Sequence, residues 1–115
     1  MTAHETIVSL LRGKALGIPA ERLDWTGYTS VYKLFKEASP DHRERIIDAM
    51  IQIIEQARGS QDEELWQLAA DTIHLGYSLR IGRLQGIVEG IDPGKVPEPV
   101  RDSVTYACET YLKNL

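Results

Sequence analysis

Cysteine is almost absent from this chain of 115 residues, which contains only Cys108. A single cysteine excludes a disulfide within the chain, and this scarcity favours a reducing compartment such as the cytoplasm. Basic residues are outnumbered by acidic ones, and the formal net charge is −4. This balance disfavours a broad nucleic-acid-binding face and docking on an anionic membrane.

Long apolar runs are missing as well. No stretch approaches the roughly 20 apolar residues that a membrane-spanning helix needs. The first eleven residues carry Glu5 and no basic stretch before a short apolar segment, so we expect no signal peptide. With 43% apolar and 26% charged residues, the composition is typical of a soluble globular protein. We therefore predict one helical domain, residues 1–115, in the cytoplasm.

The apolar residues recur at helical spacing in every long segment, and no segment shows the alternation of a strand. Two helix starts are indicated by capping signals, Ser39-Pro40-Asp41 and Ser60-Gln61-Asp62-Glu63. The first should open a helix to about Arg58 with a regular apolar face: Ile46, Met50, Ile53, Ile54 and Ala57. Beyond the second, a central helix is predicted from Leu65 to Leu79, and a last helix from near Pro97 to Leu115. The chain is thus predicted to be all-α, with about six helices.

A weak internal sequence repeat relates two of these helices at a spacing of 35 residues. The pattern Leu65-Trp66-x-x-Ala69-x-x-Thr72-Ile73 corresponds to Val100-Arg101-x-x-Val104-x-x-Ala107-Cys108. A weaker third copy is Ser30-Val31-x-x-Leu34-Phe35. Periods of roughly 20–50 residues are typical of stacked helical units, which commonly form binding surfaces.

The segment Pro97-Glu98-Pro99-Val100-Arg101-x-x-Val104-x-x-Ala107 is similar to the second-helix pattern of HEAT repeats, and the helix spacing resembles HEAT and armadillo proteins. This resemblance implies antiparallel helix pairs at 41–79 and 80–113, with a degenerate pair at 3–38, in a short superhelix. Trp66 and Val31 stand where the repeat pattern has arginine, which puts its usual aspartate–arginine ladder in doubt. An irregular helical bundle is the alternative.

Glycines recur every four residues at Gly82, Gly86 and Gly90. On one helix they would form a bare ridge, which suits either close packing inside the chain or the seam of a homodimer. Each glycine inside a helix costs about 1 kcal/mol relative to alanine, so a packing gain is expected.

Two side chains could support chemistry. Asp71 and His74 lie three residues apart on the central helix, within reach of each other as a proton-transfer pair or half of a metal site. The other interpretation is a half-buried, hydrogen-bonded histidine. Cys108 falls on the apolar stripe of the last helix, with no cationic neighbour to activate it.

Aromatic and arginine side chains are the best candidates for partner contacts. Trp25 lies in an irregular stretch, Tyr32 on a predicted helix and Trp66 on the central helix. Arg80 and Arg83, with Arg101, could converge into a cationic spot for a carboxylate. The alternatives are aromatic packing within the domain and scattered surface charge.

These residues predict a non-catalytic, regulatory or adaptor module that binds another protein through Trp25, Tyr32, Trp66, Arg80 and Arg83. We expect no cofactor, metal, nucleic acid or membrane. An obligate homodimer is one alternative. A small ligand-binding or enzymatic domain that uses Asp71 and His74 is the other.

Overall fold

A computed structural model describes residues 35–115, and every regular element in this range is helical. Its α-helices are α1 Pro40–Arg58, α2 Glu63–Ser78, α3 Gln85–Glu89 and α4 Glu98–Lys113, with 3-10 turns at Gly82–Leu84 and Pro93–Lys95. The all-α prediction is confirmed for this range, whereas the HEAT-like form stays a prediction. No helix among these is long and apolar enough to cross a membrane. A boundary between two units of the chain falls within α1, between Met50 and Ile51, and the unit of residues 51–115 lies wholly in the described range.

Helix α1 begins as its sequence predicts. The Ser39 hydroxyl accepts a hydrogen bond from the His42 backbone N–H at 3.3 Å, and Pro40 takes the first helical position. Both features suit the start of a helix, where backbone N–H groups lack partners and proline loses nothing. Its predicted apolar face is confirmed by five buried side chains: Ile46, Met50, Ile53, Ile54 and Ala57.

Arg43 ties α1 to the helical turn before it. Its guanidinium donates to the Phe35 carbonyl at 3.1 Å and to the Lys36 carbonyl at 3.0 Å, and it lies 5.2 Å from the Phe35 ring centre. The carbonyls at a helix end lack partners within the helix, and a planar guanidinium can serve two of them at once. From the sequence alone, the interleaved basic and acidic residues around Arg43 suggest only a solvent-exposed face.

Helix α2 starts at a different cap from the one predicted. The Asp62 carboxylate, rather than the Ser60 hydroxyl, accepts from the backbone N–H groups of Glu64 at 2.8 Å and Leu65 at 3.4 Å. Ser60 instead accepts from the Asp62 N–H at 2.9 Å. A carboxylate at this end also interacts favourably with the helix dipole, which explains why it takes the cap.

Helix α2 ends in a left-handed residue that is not glycine. The Ile81 N–H donates to the Gly76 carbonyl and the Arg80 N–H to the Tyr77 carbonyl, at 2.9 and 3.2 Å. This pair of bonds is the Schellman arrangement, which needs a positive φ at the position that Arg80 occupies. Arg80 has φ 57°. A side chain in this region costs roughly 1–2 kcal/mol, so the backbone here is strained.

Helices α2 and α4 pack against each other and run in the same direction. Near their starts, the Gln61 amide donates to the Lys95 carbonyl at 3.0 Å. Towards their ends, the His74 and Tyr106 rings lie 5.6 Å apart, and the Tyr111 hydroxyl donates to the Ile81 carbonyl. Partners are therefore offset by 30–34 residues along the chain. The antiparallel pairing within each predicted unit stays a prediction.

The three regularly spaced glycines do not share one helix. Gly82 opens a 3-10 turn, Gly86 lies in α3 and Gly90 follows its end. A Cβ atom built on Gly82 or Gly86 would meet no described atom within 4 Å, and one on Gly90 would lie 3.2 Å from the Arg58 guanidinium. The 3-10 geometry over Gly82–Leu84 and the end of α3 at Glu89 leave no single α-helix that carries all three glycines as a continuous ridge.

Candidate functional site

A hollow of about 240 Å³ opens where α2 and α4 end. Its lining is mainly apolar or small, and Arg80 is its one charged side chain; the lining residues are Gly76, Tyr77, Arg80, Ile81, Gly82, Tyr111, Asn114 and Leu115. Tyr77 is 40% exposed and Leu115 is 59% exposed. The predicted apolar stripe of α4 therefore does not stay buried to Leu115, because the helix ends at Lys113.

Tyr111 and Gly76 shape the inner wall of this hollow. Tyr111 is buried, and its hydroxyl donates to the Ile81 carbonyl beside the left-handed turn. Burial raises the pKa of this hydroxyl, which keeps its proton available for donation. A Cβ atom on Gly76 would collide with the Leu84 Cδ1 atom and lie 3.6 Å from the Tyr111 ring. Only glycine permits this close approach of α2 to its neighbours.

Arg80 lies at the strained turn and lines the hollow. It is exposed, and its side chain makes no hydrogen bond or ion pair with any residue in the described range. An unengaged guanidinium next to an apolar hollow can bind a carboxylate from outside the chain, since planar guanidinium and carboxylate groups form paired hydrogen bonds. A candidate binding site therefore combines one cation with one apolar recess.

The other predicted contact residues fare differently. Trp66 is 1% exposed and its indole N–H donates to the Ser60 carbonyl at 2.8 Å, so it is a core residue and not a surface contact. Arg83 is exposed but does not line the hollow. Arg101 donates twice to the Val96 carbonyl, at 3.2 and 2.9 Å, and so does not join a shared cationic spot. Trp25 and Tyr32 lie outside the described residues.

Asp71 and His74 lie on α2, and the two side chains are close enough to interact electrostatically. Burial raises the pKa of Asp71, while a hydrogen bond from Gln67 at 3.2 Å and the charge of His74 oppose that rise. The His74 ring is tilted by 51° to Tyr106. Neither Asp71 nor His74 lines the hollow at Arg80. Over residues 35–115, no group of three His, Cys, Asp or Glu side chains could hold a metal ion.

Cys108 is half-buried on α4, and burial together with the nearby Glu109 carboxylate raises its pKa to about 11. Because the thiolate is the reactive form, we expect the thiol to be sluggish. A rise from 9.0 to about 11 lowers the thiolate fraction at pH 8 about 100-fold.

Cys108 should therefore react with iodoacetamide about 100-fold more slowly at pH 8 than in the unfolded chain. Timed alkylation followed by intact-mass analysis measures this, with the chain in 8 M urea as control. The native rate should rise about tenfold per pH unit up to pH 11, provided that the fold persists. A pH-independent plateau above pH 9 would contradict a raised pKa.

Comparison with known proteins finds no match to this chain among family models, curated proteins or solved structures.

Proposed function

We propose that this chain is a non-catalytic interaction module that binds a partner protein at the hollow beside Arg80. The single observation that carries the proposal is the pairing of an unengaged, strained arginine with an apolar recess flanked by exposed Tyr77 and Leu115. Tyrosine and arginine are the residue types that most often dominate binding energy at protein interfaces.

The size of the recess favours a protein partner over a cofactor. Its volume of about 240 Å³ lies below the roughly 300–1,000 Å³ of pockets that enclose small ligands. One apolar side chain of a partner would fill it, with a neighbouring carboxylate on Arg80. Arg83, exposed on the following turn, would extend the cationic edge. A cytoplasmic location remains our expectation.

Arg80→Gly separates stability from binding. Glycine adopts the left-handed conformation without strain, so we expect the free energy of unfolding to rise by about 0.5–1 kcal/mol after the greater freedom of the unfolded chain is subtracted. Binding to the partner should nevertheless fall, because the cation is lost. Urea unfolding followed by circular dichroism measures the first effect. Arg80→Lys is the matched control: it keeps both the charge and the backbone strain, so it should show neither the gain in stability nor the loss of binding.

The partner is identified by affinity capture from native lysate of the source cells with three baits: the natural chain, Arg80→Glu/Arg83→Glu and Arg45→Glu/Arg58→Glu. The control reverses two exposed arginines on α1 and so changes the net charge equally. We expect a stoichiometric partner on the natural and control baits that is lost from the first variant, with circular dichroism unchanged. Equal capture by all three baits would remove this face from consideration. No capture, with a dimeric mass by light scattering, would favour the homodimer.

A further inference from the structure

A second hollow, of about 200 Å³, lies on another side of α4 and differs from the first in its charge. Its wall is mostly apolar, and it is formed by the end of α3, the following loop and α4: Val88, Glu89, Ile91, Pro93, Val104, Thr105, Cys108, Glu109 and Leu112. No lining residue is shared with the hollow at Arg80. A ligand in this hollow can therefore bind without contacting the residues proposed above for the partner.

The charged groups of this hollow are two carboxylates, from Glu89 and Glu109, and no basic side chain lines it. The Glu89 carboxylate is fixed by a hydrogen bond from the Gln85 amide at 2.9 Å. Glu109 lies close enough to the Cys108 thiol to affect its ionisation. The apolar wall is therefore flanked by the negative charges of Glu89 and Glu109. These charges favour cations and repel phosphate or carboxylate groups.

We infer that this hollow docks a segment of a partner protein in which one leucine or phenylalanine is flanked by lysine or arginine. The apolar side chain enters between Val88, Val104 and Leu112, and the flanking cations meet Glu89 and Glu109. A nucleic acid or anionic membrane does not suit a rim of carboxylates. The volume, again below that of pockets for small ligands, fits one side chain.

Cys108 makes this inference directly testable because it is the one cysteine of the chain and lines the hollow. The probes are two acetylated and amidated 12-residue peptides with identical leucine and phenylalanine positions and either lysine or glutamate at all flanking positions. We expect the lysine peptide to bind, by fluorescence anisotropy, and at saturation to slow iodoacetamide alkylation of Cys108 about tenfold. The glutamate peptide should do neither.

Glu89→Gln/Glu109→Gln should weaken binding of the lysine peptide about tenfold, since two exposed ion pairs are lost. The matched control is Glu55→Gln/Asp102→Asn, which removes two exposed carboxylates elsewhere and lowers the negative charge equally. This control should bind the lysine peptide with an affinity within about twofold of that of the natural chain.

Three results would overturn the inference: equal weakening by both variants, equal binding of both peptides, or unchanged alkylation of Cys108 at saturating lysine peptide. Arg80→Glu should leave lysine-peptide binding intact. The two hollows are thereby tested independently, and failure at one leaves the other standing.

Discussion

Replacing Trp66 with alanine is expected to lower the free energy of unfolding by about 3–5 kcal/mol, because a large buried aromatic leaves a cavity that its surroundings only partly refill. Trp66 is 1% exposed, and its indole N–H is bonded to the Ser60 carbonyl just before the cap of α2. The substitution therefore removes core volume and also frees the turn that positions Asp62. For a domain with a stability of about 5–15 kcal/mol, this loss is a large fraction of the total.

Urea unfolding monitored by circular dichroism measures this effect. Trp66→Phe keeps much of the volume but loses the N–H donor, and should cost about 1–3 kcal/mol by leaving the Ser60 carbonyl without its partner. Gln67→Ala, at the exposed neighbouring position, is the control and should change stability by less than about 0.5 kcal/mol. A loss below 1 kcal/mol for Trp66→Ala would mean that this ring is not a core residue.

Replacing Gly76 with alanine is expected to lower the free energy of unfolding by about 1–3 kcal/mol, although alanine is the better helix former by about 1 kcal/mol. The added methyl group would collide with the Leu84 side chain, which is fully buried and cannot simply move into solvent. The same shift would disturb Tyr111 and the wall of the hollow beside Arg80.

Gly86→Ala is the matched control, because a methyl group there meets no described atom within 4 Å. Since Gly86 lies in α3, this variant should be neutral or more stable by up to about 1 kcal/mol. Thermal and urea unfolding of both variants give the comparison. Equal stability changes for the two would show that α2 does not closely approach Leu84.

The fold is predictable where its determinants are local. The Ser39–Pro40 start and apolar face of α1 follow from neighbouring residues and the helical period, and the structure confirms both. Asp62 shows the limit of this reasoning, since Ser60 and Asp62, two residues apart, could each cap α2 and only the structure distinguishes them.

The candidate site is less predictable because its determinants are distant in sequence. The sequence shows that arginines follow the end of α2. It does not show that Arg80 adopts a left-handed φ, or that Arg101 donates its hydrogen bonds to a backbone carbonyl. The prediction of Trp66 as a partner contact is wrong, and the alternative of packing within the domain is the correct one, because an aromatic residue suits a core and an interface equally well. Tyr77 and Leu115 become relevant only because α2 and α4 end side by side.

The left-handed turn at Arg80 also has a practical consequence for engineering. Any selection of variants by heat resistance or expression yield would favour glycine at this position, since it relieves backbone strain. The proposed partner contact would then vanish from the population while every biophysical readout of the isolated chain improved. Stabilised versions of this protein should therefore retain arginine at position 80.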